Sequence, residues 1–523
     1  MPEKLILAID LGTSGPKVAL FTINGEIIDD DFAPTGYTLL PGGGAEQDPD
    51  EWWQAIKIAS QNLLKRNSDK VSDIEAISVT SQWSGTVAVN QNGQHLMNAI
   101  NWMDSRGATQ VKRITDGIIK IEGYGLSKVY HWLTRTGGMP TRAGKDPIAH
   151  ILYIKENLPE IYEKTYKFLE PKDFLNLKLT GEFVSSFDTM VLHWVTDNRD
   201  INNIRYSDKL IALSGIDREK LPNMVDASEV IGTLSKKAAK ELGLNENVKV
   251  IAGTPDVNSA AIGSGAINRN HAHICIGTSS WLASYVPFKK TDIFHNIASL
   301  PSALKGKYLI TNEQETAGEC INYLRDNVFF HKDALNTKAP DNYYELINQL
   351  ACESPAGSNN LIFTPWLYGE RSPIEDNFVR GGFHNLSLQN NRRDMIRSVF
   401  EGVAYNNRWL LKYVEKIAGN QFEYINFIGG GARSDLWSQI LADVLQREIR
   451  QIERPLLANA RGAAMLALIG LGYITVEDIP EKTKVKTIYQ PNEKNKTLYD
   501  DLFKEYLNIY KQNKGIYRRL NNE

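Results

Sequence analysis

Asp10 is the first carboxylate in the chain whose setting points to chemistry. It ends the apolar run Ile6-Leu7-Ala8-Ile9 and precedes Leu11-Gly12-Thr13-Ser14-Gly15. A strand that turns at Gly and then Thr/Ser exposes backbone N–H groups and hydroxyls, which suit phosphate oxygens. The same design returns at Ile274-Cys275-Ile276-Gly277-Thr278-Ser279. Each turn re-enters a strand, at Lys17-Val18-Ala19-Leu20-Phe21 and at Trp281-Leu282-Ala283-Ser284-Tyr285-Val286. Two such turns, far apart, predict two related halves gripping one polyphosphate, as a phosphotransferase would. Asp10 has two readings. It is a turn residue that bonds its own backbone, or a carboxylate that orients hydrated Mg²⁺ on nucleotide phosphates. Lys17 is a solvated strand residue or a cation beside the transferring phosphate.

Three further segments carry candidate groups. Gly429-Gly430-Gly431 lies between a strand and a helix capped by Ser434. Glycines let a ligand approach the backbone, and a helix N-terminus favours negative charge. Three in a row exceed what a tight turn needs, which favours a ligand-facing role over a purely structural one. Asp256 follows Gly253-Thr254-Pro255 at a strand end and a helix start. It is a helix cap or a cleft-facing general base. The helix N-terminus is expected to lower its pKa and weaken it as a base. Phosphoryl transfer depends more on positioning the hydroxyl than on base strength, so the role stays open. Gln82-Trp83-Ser84-Gly85 and Asn101-Trp102-Met103-Asp104 place aromatic faces beside amide and carboxylate groups, which suits a polyhydroxylated ligand. Taken singly, Trp83 and Trp102 also read as core residues.

Several classes are excluded. The chain has no G-x-x-x-x-G-K-[ST], no strand–G-x-G-x-x-G–helix unit near its start and no H-E-x-x-H. His271-Ala272-His273 alternates like a strand edge. At 523 residues the length allows two to four domains. A net charge of −3 argues against nucleic acid or a membrane surface as the main partner. Three cysteines, Cys275, Cys320 and Cys352, show no metal-ligand spacing and fit a reducing cytosol. No apolar run approaches a membrane span. The expected location is the cytoplasm.

The elements that must position these groups are legible in outline. Asn24-Gly25 and Asn92-Gly93 mark two hairpins. Asp48 caps a helix with Pro49 at its start and Trp52, Trp53, Ile56, Ala59, Leu63 and Leu64 on one face. Ala108 to Ala149, rich in glycine, reads as an insertion or a mobile cover over a cleft. Helical patterns run from Pro147 to Lys178. Val248 to Gly253 is a buried strand, and Phe422 to Ile428 leads into the glycine loop. Ala460 to Gly470 is a small-residue helix. The tail carries Leu498, Tyr499, Leu502, Phe503, Tyr506 and Tyr510 at helical spacing and is expected to pack on the body.

In this order the motifs resemble the FGGY carbohydrate kinase family, in its xylulokinase-like branch. The resemblance runs through Asp10-Leu11-Gly12-Thr13-Ser14, Gln47-Asp48-Pro49-Asp50-Glu51-Trp52-Trp53, Ala252-Gly253-Thr254-Pro255-Asp256 and Gly277-Thr278-Ser279. It continues through Tyr368-Gly369-Glu370-Arg371-Ser372-Pro373, Phe400 to Tyr405 and Gly429 to Ser434. It implies an α/β chain of two duplicated ribonuclease H-like domains, as in actin and hexokinase, with ATP and sugar in the cleft between them. The expected boundaries are 1–257 for the sugar-binding domain, 258–475 for the nucleotide-binding domain and 476–523 for a helical tail. It implies ATP with Mg²⁺ on Asp10, and Asp256 as base on the sugar hydroxyl. It implies phosphate contacts at Gly12, Thr13, Ser14, Lys17, Gly277 and Thr278, and nucleotide contacts at Gly318, Gly430, Gly431 and Ala432. It implies a sugar side at Gln82, Trp83, Ser84, Trp102 and Asp104, a xylulose-like ketose or polyol as partner, and a homodimer as one possible assembly. The alternatives are a glycerol or other polyol kinase, or a non-catalytic actin-like nucleotide binder. Xylulokinases carry Met-His where this chain has Trp83-Ser84, which removes an imidazole from the sugar side. His150 and Tyr153 stand where the family's first signature has Lys and Trp, and Asn385 replaces a glycine of the second.

Overall fold

The computed structural model describes residues 4–121, 123–334 and 338–521. Its frame is two sheets built to one plan. In the first, β1 (Leu5–Gly12) and β2 (Gly15–Thr22) form a hairpin, and β3 (Ile27–Phe32) continues it. β4 (Ile74–Ser81), β5 (Val230–Thr233) and β6 (Lys249–Pro255) complete the order β5-β6-β4-β1-β2-β3. The hairpin turns between Gly12 and Gly15, which face each other. Gly15 has φ +134°, and a Cβ there would lie 2.1 Å from the Ala33 carbonyl oxygen, so only glycine fits.

In the second sheet, β7 (His271–Ile276) and β8 (Ser280–Ala283) form the matching hairpin. β9 (Tyr424–Ile428), β10 (Glu448–Ile452) and β11 (Val485–Tyr489) follow, in the order β8-β7-β9-β10-β11. From hairpin strand to far edge, both sheets read antiparallel, parallel, parallel, antiparallel. That repeat is the duplication expected from the two Gly-Thr-Ser turns. β1, β4 and β6 are buried almost throughout, so they read as continuous apolar runs and not as alternation.

Helix α1 (Pro49–Arg66) begins where Asp48 accepts the Asp50 N–H at 2.9 Å, and it buries the expected apolar face. Three other helices hold the centre: α2 (Pro171–Thr180), α3 (Asp256–Gly263) and α4 (Ala458–Gly470). α3 and α4 pack backbone to backbone. A Cβ on Gly263 would lie 1.8 Å from the Ala458 carbonyl oxygen, and one on Gly462 1.9 Å from that of Ser259. Small residues therefore let one helix from each half cross at close range. One apolar core, with Ile6, Ile251, Ile262, Ala463 and Leu466, spans both halves.

Three regions differ from the sequence reading. The helical run from Pro147 is broken by a strand, Lys167–Leu169, which pairs with Val87–Val89. The glycine-rich segment after Ala108 is more regular than its sequence suggests. It contains a helix, Leu126–Thr136, whose Trp132 is fully buried and donates to the Trp194 carbonyl at 2.9 Å. The tail is not helical throughout, because β11 first adds an edge to the second sheet. The long helix that follows (Glu493–Asn521) buries Tyr499, Leu502 and Tyr506. Burying each such side chain is worth about 1.5–3 kcal/mol, enough to dock the helix. No helix among the described residues is long and apolar enough to cross a membrane.

Candidate active site

The parallel strands of both sheets end at one place. β1 ends at Asp10 to Gly12, β4 at Gln82 and β6 at Asp256; β7 ends at Gly277 and β9 at Gly429. Ligands in such sheets bind beyond the carboxyl ends of the strands.

Asp10 is buried, and Lys17 stands opposite it on the hairpin ladder with Nζ 3.4 Å from Oδ2. Asn459, at the start of α4, reaches the other carboxylate oxygen at 3.5 Å. Both contacts are long, so Asp10 keeps acceptor capacity for a ligand. Asp256 opens α3 and is half-buried. Its Oδ1 accepts the Val257 N–H at 2.8 Å. A helix terminus alone would lower its pKa; the carboxyl is instead pushed up to about 7. Burial is the largest cause, and the negative charges of Asp10 and Glu313 add to it. The Val257 N–H and Lys17 pull the other way and lose.

The first Gly-Thr-Ser turn is tied to the Gln82 loop. Thr13 Oγ1 donates to Gln82 Oε1 at 2.9 Å and accepts from Trp102 Nε1 at 3.0 Å. Gln82 also donates to Gln47 Oε1 at 2.6 Å and accepts from Asn101 at 3.2 Å. Its amide is thus engaged with protein groups, and Gln47 donates onward to the Thr13 carbonyl at 3.0 Å. Asp104 is fully engaged too: it accepts from the Ala45 N–H and from the Arg106 N–H and Nε. Trp83 donates to the Thr189 carbonyl at 3.1 Å and packs on an apolar cluster of the first half. Ser84 sits at φ +68°, rare for a non-glycine residue, and its hydroxyl donates to the Lys145 carbonyl at 3.0 Å.

On the other side, Gly318 is a glycine for packing. A Cβ there would lie 2.3 Å from the Gly277 carbonyl oxygen, which accepts the Gly318 N–H at 2.9 Å. Gly429 and Gly431 are likewise pressed on Cys275 and Ile276. Gly430 alone of the three is exposed, and a Cβ there would find its nearest neighbour 3.9 Å away. The glycine run therefore combines a packing demand at its ends with an open backbone at its middle. Ala432 is buried. Ser14 is exposed at the first turn, and Thr278 lines a pocket of about 410 Å³ with Glu315, Glu319, Asn322 and Tyr368.

Residues that sequence reasoning did not single out complete the cleft. Arg371 pairs with Glu313 and Glu315, and Lys145 lies within their field. Glu170, fully buried, accepts the Gly85 N–H at 3.0 Å. Gln47 and Arg371 fall inside the family motifs. For Lys145, Glu313 and Glu170 no local pattern marks them, since each acts through a partner distant in the chain.

Residues 5–263 match the model of the N-terminal domain of the FGGY family of carbohydrate kinases, and residues 272–471 match that of its C-terminal domain. The chain belongs to the FGGY family. This FGGY chain is a sugar kinase, similar over its whole length to proteins of that activity. It is 31% identical to a xylulose kinase of Staphylococcus epidermidis, over 99% of this chain and 98% of the relative. Among solved structures it resembles a gluconate kinase and a ligand-bound xylulose kinase, both from Lactobacillus acidophilus. Each match has a TM-score of 0.84 and 26% identity, and covers 99% of this chain and 100% of the other. The two-sheet architecture is that of the family.

Proposed function

We propose that this FGGY kinase transfers the γ-phosphoryl group of ATP to a hydroxyl of a ketose or polyol, with xylulose the leading candidate. The observation that carries the reading is Asp256. It is a half-buried carboxyl with a pKa of about 7, beyond the strand ends that also carry Asp10 and the Gln82 loop. A general base works best with a pKa near the operating pH. Asp256 takes the hydroxyl proton as the oxygen attacks, while most of the barrier is lowered by positioning and charge.

Asp10, with acceptor capacity left, fits a hydrated Mg²⁺, which when bound neutralises phosphate charge. Lys17 adds a cation at the same edge. The turns at Gly12 to Ser14 and Gly277 to Thr278 offer N–H donors to phosphates. The pocket beside Thr278 and the open backbone of Gly430 receive the nucleoside. Gly318, Gly431 and Ala432 shape that surface. Trp102 and the Trp83–Ser84 loop face the sugar, and Gln82 and Asp104 hold the framework. In this reading residues 1–257 are the sugar-binding lobe, 258–475 the nucleotide-binding lobe and 476–523 the docked tail.

The test is a coupled ADP-release assay over ketoses, pentitols, hexitols, glycerol and gluconate. Xylulose or a related ketose is expected to give the highest kcat/KM. Turnover confined to glycerol or to gluconate would overturn the substrate assignment.

A further inference from the structure

Lys145 is a half-buried lysine with no hydrogen bond or ion pair from its ammonium to any described residue. Its position is nonetheless well defined. Its carbonyl accepts the Ser84 hydroxyl at 3.0 Å, so it sits against the sugar-side loop. The charges that face its ammonium are Arg371, Glu315 and Glu313. Glu313 also acts on Asp256, and Glu315 lines the pocket that contains Thr278. These relationships bracket Lys145 between the Ser84 loop, the base and the phosphate turn. Burial and the Arg371 charge lower its pKa, as expected for a group inside a cleft.

The charges around it close on themselves. Arg371 pairs with Glu313 and with Glu315, the latter also through Nη2 at 3.2 Å. Two cations, Arg371 and Lys145, therefore meet two anions, Glu313 and Glu315. The other acids nearby are Asp146 and Glu370, whose buried carboxyls are pushed up to about 6 and 7. They add negative charge as they ionise. Together the four groups, Arg371, Lys145, Glu313 and Glu315, carry no net positive charge to attract an anionic substrate. What remains available is three N–H donors on Lys145, since Arg371 is already engaged.

We propose that Lys145 is a specificity-determining residue of the sugar pocket. Its ammonium donates to a hydroxyl or carbonyl oxygen of a neutral polyhydroxylated substrate, and the balanced charge around it excludes sugar acids. The proposal rests on the ketose reading above and decides between the two substrate classes named for the similar solved structures.

The experiment compares the wild-type enzyme with Lys145→Met and Lys145→Gln, using xylulose and gluconate as acceptors at saturating ATP. A hydrogen bond to a charged group is worth about 10–100-fold in affinity. Lys145→Met is expected to raise the xylulose KM about 10–100-fold, with the ATP KM and thermal midpoint unchanged. Lys145→Gln, which keeps a donor without the charge, is expected to fall between them and covers the case of a Met variant that folds poorly. Wild-type kcat/KM on xylulose is expected to exceed that on gluconate. Variants with an unchanged xylulose KM overturn this proposal and leave the ketose reading standing. A wild-type enzyme that uses gluconate and no neutral sugar overturns both.

Discussion

The Thr13 hydroxyl donates to Gln82 Oε1 at 2.9 Å, joining the turn between Gly12 and Gly15 to the loop Gln82-Trp83-Ser84-Gly85. Thr13 also accepts from Trp102, so its hydroxyl already has a donor and an acceptor within the protein. Phosphate would meet the backbone N–H groups of this turn, with the side chain holding the turn in place. One amide, Gln82, therefore holds both the Thr13 turn and its own loop in place.

Gln82→Leu keeps the bulk and removes the amide. It leaves the half-buried Thr13 hydroxyl without its acceptor and takes one partner each from Gln47 and Asn101, which keep their bond to each other at 2.8 Å. Leaving buried polar groups unpaired costs about 1–3 kcal/mol. The expected outcome is a lower thermal midpoint and a rise in both the sugar KM and the ATP KM. A rise in only one of them would show that the two sites are set separately.

Asp256→Asn tests the base. Asn caps a helix about as well as Asp, so the start of α3 is retained. Loss of a positioned base is expected to cost roughly 10²–10⁴-fold in turnover, with ATP affinity near normal. In the wild type, kcat/KM for the sugar is expected to rise with pH and level off above about 7, as the carboxyl ionises. The same raised pKa has a stability sign. Between the unfolded value of 3.8 and about 7 the folded state binds the extra proton, so stability falls as pH rises through that window. Asp256→Asn removes that loss, and thermal unfolding at pH 8 is expected to be no earlier than in the wild type. A variant that loses stability and keeps specific activity would mark Asp256 as a cap only.

What is legible in the sequence is what lies within one short segment. The two Gly-Thr-Ser turns, Asp10 and Asp256 are each a strand end followed by a turn or helix start, and the duplication follows from the repeat. The pKa of Asp256 is not legible, because it depends on Asp10, Glu313 and burial, none of them adjacent in sequence. The triple glycine reads as one ligand loop, yet two of its members answer to Cys275 and Ile276 on another strand. The engagement of Asp104 by Arg106 and Ala45 is not legible either, because only the fold brings Ala45 to it. The strand Lys167–Leu169 escapes notice because three residues between helical patterns carry no usable periodicity.

Ser84→His tests the proposed sugar role of the Gln82 loop. Ser84 lies in the left-handed region, at φ +68°, where His is better tolerated than β-branched residues. The larger ring displaces the bond to the Lys145 carbonyl and projects a new polar group at the loop. Relative kcat/KM among ketoses and polyols is expected to shift, with the ATP KM unchanged. A flat sugar preference together with a loss of ATP binding would assign the loop to the nucleotide instead.

Glu170 and the helix it precedes join the Gln82 loop to the strand that leads into Asp256. Its Oε2 accepts the Gly85 N–H at 3.0 Å, and the next residues of its helix continue the docking. Pro171 lies where a Cβ on Gly85 would come within 2.6 Å, the Lys172 N–H bonds Ser81 Oγ at 3.0 Å, and Asn176 bonds the Ala252 carbonyl at 2.7 Å. Burial, reinforced by the charge of Asp173, raises the Glu170 pKa well above the usual carboxylate range. The contact it makes with the loop is that hydrogen bond to Gly85. Glu170→Gln keeps the shape and an acceptor for Gly85, so sugar KM and kcat are expected to stay near wild type. Glu170→Ala leaves the Gly85 N–H buried without a partner, a cost of about 1–3 kcal/mol, and is expected to raise the sugar KM about tenfold with little change in the ATP KM. The folded state holds the proton that the unfolded chain releases above 4.5, so wild-type stability declines as pH rises from there toward the folded pKa. Glu170→Gln is expected to flatten that decline. Equal damage from Gln and Ala would show that the charge of Glu170, and not its hydrogen bond, supports the loop.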